Sequence, residues 1–248
     1  MDLPVWQKVY EDIGGDNFEI ISVAEDSQGE AVAGPLFDRA NPTYRCIVDE
    51  SHRISTLFGW RNVPSAAWID EDGRIVRSNE GTYAGKHMIK KGPARVRFGN
   101  EAFADAVRDW VANGADSKLV WTTEQQREKQ APLTGDLALA DPTFKLGVYL
   151  KSQGADDRAA PYFEEAQRLA PDNWNYHRQA WTFQGENFAI RKWQEKRQAQ
   201  GGSQYYEPMG LPNEPKRAGA RIDFVWSPVT RPLRRLIRRL TGASGRRR

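Results

Sequence analysis

Few residues in this 248-residue chain have the type and spacing that chemistry requires. There is one cysteine, Cys46, so an internal disulfide, a Cys-x-x-Cys redox pair and a cysteine-rich zinc site are all excluded. Cys46 falls mid-strand beside Ile47, where a thiol acts as a small hydrophobe; a peroxidatic role needs an accessible, activated thiolate. The three histidines, His52, His87 and His177, are far apart, which argues against a His-based metal site. Asp70 and Asp72 belong to a turn, and Glu164 and Glu165 to a solvated helix face, so neither pair reads as an acid–base couple. No glycine loop is built to cradle phosphate, and no cofactor is implied.

These residues are set in a chain with 39% hydrophobic and 28% charged residues. It is long enough to bury a core without disulfides. No apolar run reaches the roughly 20 residues that span a bilayer. The start, MDLPVWQKVYEDIGG, has no basic or apolar leader region, so the chain as it stands is expected to be cytoplasmic. The net charge of +3 conceals an asymmetry: Lys216–Arg248 holds 11 basic residues and one acid, while the rest holds 25 basic and 32 acidic residues.

The elements follow from periodicity. Val5, Trp6, Val9, Tyr10 and Ile13 form a helical stripe closed by Gly14-Gly15. Phe18–Ala24 reads as a buried strand, and a short helix is expected from Pro35. Tyr44–Val48 is a second strand, and Ser51 is placed to cap a helix that stops at Gly59. Ser65–Ile69 and Arg74–Ser78 flank an Asp-Gly turn as a hairpin. Residues 81–98 read as a loop. Phe103, Ala106, Val107, Trp110 and Val111 give another helix, so the first 112 residues read as an α/β layer. Residues 113–136 are expected to be a linker with at most a turn of helix, 137–199 a TPR-like helical unit, and 200–248 an irregular, basic and disordered tail.

The segments FEIISVAED and PTYRCIVDESHRISTLFGWRNVPSAAWIDEDGRIVR, in this order, carry a resemblance. Phe58-Gly59-Trp60-Arg61-Asn62-Val63-Pro64 and Trp68-Ile69-Asp70-Glu71-Asp72-Gly73-Arg74-Ile75-Val76 resemble the thioredoxin-like proteins of the TlpA/ResA and AhpC/TSA (redoxin) type, over about residues 2–112. The resemblance implies a thioredoxin-like fold, a cis Val63–Pro64 bond, and a peptide-docking loop at Val63, Pro64 and Ser65. It also implies a thiol–disulfide oxidoreductase or peroxide-reducing antioxidant acting on protein or peptide thiols. The family's Cys-x-x-Cys is not in this sequence, so no catalytic residue is assigned and the chain is expected to be redox-inactive as it stands. Asp2-Leu3-Pro4 resembles the Glu-x-Pro that follows the cysteine pair. The active-site turn and the central strand before it are therefore expected to be missing.

Phe18–Ala24 and Ser65–Ile69 would then lack the strand between them, at about 1–3 kcal/mol per orphaned backbone group. Three repairs are open: a true start upstream, which would allow an extracytoplasmic address; direct pairing of the two strands; or a strand supplied by a partner. The alternative function is a non-catalytic peptide- or protein-binding module.

Ala140–Asn173 resembles a tetratricopeptide repeat at Gly147, Gly154, Ala159, Phe163, Ala166 and Pro171. One such repeat must bury its face on a neighbour, and a third helix with Trp174, His177 and Trp181 is placed to do so. This unit is a candidate protein-partner surface. Arg231–Leu240 sets Leu233, Leu236, Ile237 and Leu240 against arginines, a pattern suited to an anionic membrane surface, whereas nucleic acid is not expected.

Overall fold

A computed structural model of the chain describes residues 2–15, 17–91, 94–129, 132–201, 206–215 and 221–224. It is mixed α/β. Helix α1 (Leu3–Ile13) has Pro4 in its first turn and ends at Gly14, whose φ of 57° is open to glycine. It leads to β1 (Ile21–Ala24), α2 (Glu30–Ala40) and β2 (Arg45–Val48), which pairs parallel with β1, Ile21 opposite Arg45. Helix α3 (Arg53–Phe58) stops at Gly59. The hairpin of β3 (Ser65–Ile69) and β4 (Ile75–Glu80) turns at Asp70–Gly73, where Asp70 accepts the backbone N–H of Asp72 and Arg74. Strands β5 (His87–Lys91) and β6 (Ala94–Phe98) form a second antiparallel hairpin, and α4 (Ala102–Asn113) follows.

The layer's core lies between α1, α4 and the β3–β4 hairpin. Trp68, Val76, Phe103, Ala106 and Val107 are buried there, with Trp6, Ile13, Phe18 and Ala66 packed around them. The Trp68 ring stacks on Trp110 at 5.0 Å, and Trp6 meets Phe103 edge-on. A buried side chain of this size contributes about 1.5–3 kcal/mol.

The helical unit begins after α5 (Thr123–Lys129), with α6 (Asp136–Ser152) and α7 (Asp156–Leu169) antiparallel. Its core holds Phe144, Phe163, Ala166, Leu169 and Tyr176. Gly147 lets the helices approach: a Cβ there would come within 2.9 Å of the Phe163 ring. Helix α8 (Trp174–Thr182) is capped by Asn173, whose side chain accepts the N–H of Asn175 and Tyr176; α9 (Glu186–Ala199) follows, and β7 (Arg221–Phe224) pairs with β6.

Several expectations are corrected. Helix α2 starts at Glu30, with Pro35 inside it. The N-cap of α3 is His52, which makes no side-chain cap bond; the first-turn Ile54 N–H is accepted by Asp49 at 2.7 Å, not by Ser51. Residues 81–98 contain the β5–β6 hairpin; alternation in Arg95-Val96-Arg97-Phe98 was masked by the basic residues. The linker carries a two-turn helix and is tied down by the Trp121 N–H, which donates to Val76 O at 2.9 Å. Residues 206–215, expected in an irregular tail, fold back on the α/β layer and bury Met209 and Leu211 in its core. The amphipathic segment 231–240 lies outside the described residues.

Among the described residues β1 pairs with β2 alone and β3 with β4 alone. Direct pairing of β1 with β3, one of the three repairs, is not formed there. Each of these strands keeps one edge without a partner among the described strands, although Phe18 and Ala66 line a common core. No described helix is long and apolar enough to cross a membrane.

Candidate functional site

The loop from Gly59 to Ser65 is built by a chain of local bonds. Gly59, with φ 67°, ends α3, and the Trp60 N–H returns to Ser55 O at 2.8 Å. Asn62 is 1% exposed, and its Oδ1 accepts the Val63 N–H at 3.0 Å. The Val63–Pro64 bond is cis. Ser65 Oγ donates to Asn62 O at 2.6 Å, and Pro64 O accepts the N–H groups of Gly81 and Thr82. Val63, Pro64 and Ser65 thus sit together at the head of β3, where the resemblance places the docking loop.

Two residues that sequence reasoning did not assign to this loop also reach it. Tyr206 Oη donates to Val63 O at 2.8 Å, and Arg178 Nη1 donates to the same oxygen at 3.2 Å. Tyr206 is 4% exposed, and its ring covers Gly81, where a Cβ would meet it at 2.9 Å. The Val63 carbonyl, on which the resemblance would place a docked peptide, is therefore engaged by the chain itself. Arg61 extends the junction: its N–H donates to Glu80 Oε1 at 2.6 Å, its guanidinium pairs with Glu207 at 3.1 Å, and its carbonyl accepts Trp174 N–H at 2.6 Å. Burial pushes the Glu80 carboxyl above the usual carboxylate range, against the backbone donors of Arg61 and Asn62 and the Arg61 charge. Nothing in the local sequence tied Tyr206 or Arg178 to this loop.

Cys46 is half-buried in β2, with Sγ 3.9 Å from Tyr44 O, and burial raises its pKa. That is the opposite of the thiolate activation that disulfide or peroxide chemistry demands. The histidines are dispersed. Buried His52 bonds Ser27 Oγ and Gln179 Oε1, and His87 bonds Asp2. His177 bonds Pro171 O, and burial beside the Lys196 charge pushes its pKa down to about 4. Among the described residues no group of three His, Cys, Asp or Glu is placed to hold a metal. Comparison of the chain with protein-family models, curated proteins and solved structures finds no match.

Proposed function

We propose that this chain is a thioredoxin-like scaffold of the redoxin type that takes up an extended protein segment, and that it does no thiol chemistry of its own. The reading is carried by one observation: β1 and β3 each have an edge that no described strand pairs with, while Phe18, just ahead of β1, packs against the core that holds Ala66 and Trp68 of β3. A thioredoxin-like sheet carries its central strand between two such edges. Unpaired edges are templates for strand addition, in which backbone hydrogen bonds give affinity and alternate side chains give selectivity. The uptake groove ends at Val63, Pro64 and Ser65, because β3 begins at Ser65. A segment that also pairs with Val63 O must displace the Tyr206 hydroxyl and Arg178.

The chemistry of the one thiol supports the same reading. Thiol–disulfide exchange needs an attacking and a resolving sulfur, and Cys46 is single and unactivated. The protein or peptide bound is then a ligand rather than a substrate.

Amide hydrogen exchange tests the reading, with reduced, carboxymethylated insulin B chain as an extended probe. Residues 21–24 and 65–69 are expected to slow together by about tenfold or more when the probe is added. Slowing at neither strand, or in the helical unit alone, would overturn it. Insulin reduction is expected to be absent, and equally absent in Cys46→Ala.

A further inference from the structure

Two distant segments close on the head of β3. Tyr206, from the returning stretch 206–215, donates its hydroxyl to Val63 O at 2.8 Å, and Arg178, from α8, donates to the same oxygen at 3.2 Å. The Tyr206 hydroxyl lies 3.0 Å from that of Tyr83, which is left to donate to it. An incoming strand would offer Val63 O a backbone N–H. The chain already offers it a phenol O–H and a guanidinium N–H, so these two side chains stand in for the donors of a ligand.

The hold on this stretch is graded along its length. Met209 and Leu211 are buried in the core of the α/β layer, and Met209 O accepts from Arg77. Glu214 accepts the N–H groups of Met209, Gly210 and Leu211. That end is an anchor. Ahead of it, Glu207 is tied to Arg61 at 3.1 Å and to Lys129 at 3.7 Å, exposed pairs of the kind that contribute little in water. Pro208 stands between the two and has no N–H to bond. Residues 206–211 form neither helix nor strand, so no backbone ladder fixes Tyr206 to the layer. The Tyr206 hydroxyl can therefore leave Val63 O while Met209 and Leu211 stay in the core.

We propose, resting on the strand-uptake reading, that Tyr206–Pro208 and Arg178 form an autoinhibitory clasp on that same site: they occupy Val63 O until an extended protein segment displaces them. A donor tethered within the chain competes at high effective concentration, so the clasp sets a threshold that weakly pairing segments do not pass. The competition is reciprocal. A ligand that takes Val63 O loosens Tyr206, and whatever loosens Tyr206 tightens the ligand by the same factor. Arg178 belongs to α8, so the helical unit supplies one arm of the clasp and the returning stretch the other.

Binding of reduced, carboxymethylated insulin B chain to the full chain tests the clasp, read by fluorescence anisotropy of the labelled probe and by amide exchange followed by NMR. Point variants are needed, because truncation would also take Met209 and Leu211 out of the core. Tyr206→Phe removes the hydroxyl and keeps the ring over Gly81, and Arg178→Met removes the second donor from a different element. Each variant is expected to bind the probe about three- to tenfold more tightly than the unaltered chain, the worth of one net hydrogen bond. In the unaltered chain the probe should speed exchange at Tyr206 and Glu207 and leave Met209, Gly210 and Leu211 slow. Slowing at residues 21–24 and 65–69 with equal affinity in all three chains, or weaker binding in both variants, would overturn the clasp and leave strand uptake standing. No slowing at either strand in any of the three chains would remove both together.

Discussion

Arg77 brings a full charge into the α/β core, 4% exposed, and gives it to neutral acceptors. Nε donates to Asn79 Oδ1 at 2.7 Å, Nη1 to Leu119 O and Nη2 to Met209 O, while the guanidinium lies over Trp68 and Trp121. Burial lowers its pKa to about 10, which leaves it charged at neutral pH. Arg77→Met fills similar space but orphans two buried carbonyls, so the urea midpoint should fall by an amount equivalent to about 2–4 kcal/mol with m unchanged. Arg77→Lys, which lacks the planar fork, should recover less than half of that. A second single-residue prediction concerns His177. Its folded pKa is depressed from 6.5 to about 4, so the folded state resists a proton that the unfolded state accepts. Above pH 6.5 the residue is neutral in both states and contributes no pH dependence. As pH falls from 6.5 to about 4, the unfolded state gains the proton first and stability drops, by roughly 3 kcal/mol over the window. Buried His52 is shifted in the same direction and adds to the slope. Urea unfolding at pH 7 and pH 4.5 should show a clearly smaller loss in His177→Gln; an equal loss would reject the assignment.

At the scale of elements, the α6–α7 pair depends on a missing side chain. Gly147→Ala would place a Cβ 2.9 Å from Cε1 of Phe163, a stiff ring in a filled core. The expected cost is about 1–3 kcal/mol, seen as a lower melting temperature, and shortening the ring in Gly147→Ala/Phe163→Leu should recover part of it. An additive double variant would show that the two positions do not press on each other. Gly147 and Phe163 were legible in the sequence because helical small–large spacing reports directly on packing. The β3–β4 hairpin was equally legible, since its Asp-Gly turn is local. The β5–β6 hairpin was not: basic residues and glycine dominate its composition, and its pairing partner β7 lies more than a hundred residues away. The engagement of Val63 O was hidden for the same reason. Val63, Pro64 and Ser65 could be picked out from their neighbours in sequence, but Tyr206 and Arg178 reach that carbonyl only through the tertiary fold.

For the whole molecule, the decisive contacts run between distant parts of the chain. Ser27 N–H and His52 both meet Gln179 Oε1, Thr56 Oγ1 donates to Asp141 at 2.6 Å, and Arg61 O accepts the first N–H of α8. These bonds tie the helical unit to the α/β layer and bury His52 against Phe144. Residues 206–215 then return from the helical unit to the layer and place Tyr206, Met209 and Leu211, each under 8% exposed, against it. Burial of three such side chains is worth about 1.5–3 kcal/mol each, and their loss also removes an acceptor from Arg77. Set against a total stability of about 5–15 kcal/mol, that is a large share. A chain ended at Gly201 should therefore lose cooperative unfolding in its α/β layer, with tryptophan fluorescence and near-UV circular dichroism no longer coincident and with dye-accessible apolar surface at Trp68 and Val76. The full chain should show one coincident transition, because the layer and the helical unit share the junction at Arg61 and Gln179. If the shortened chain kept a single transition within a few degrees of the full chain, the returning segment would be a passenger on the fold, and the engagement of Val63 O by Tyr206 would carry no structural weight.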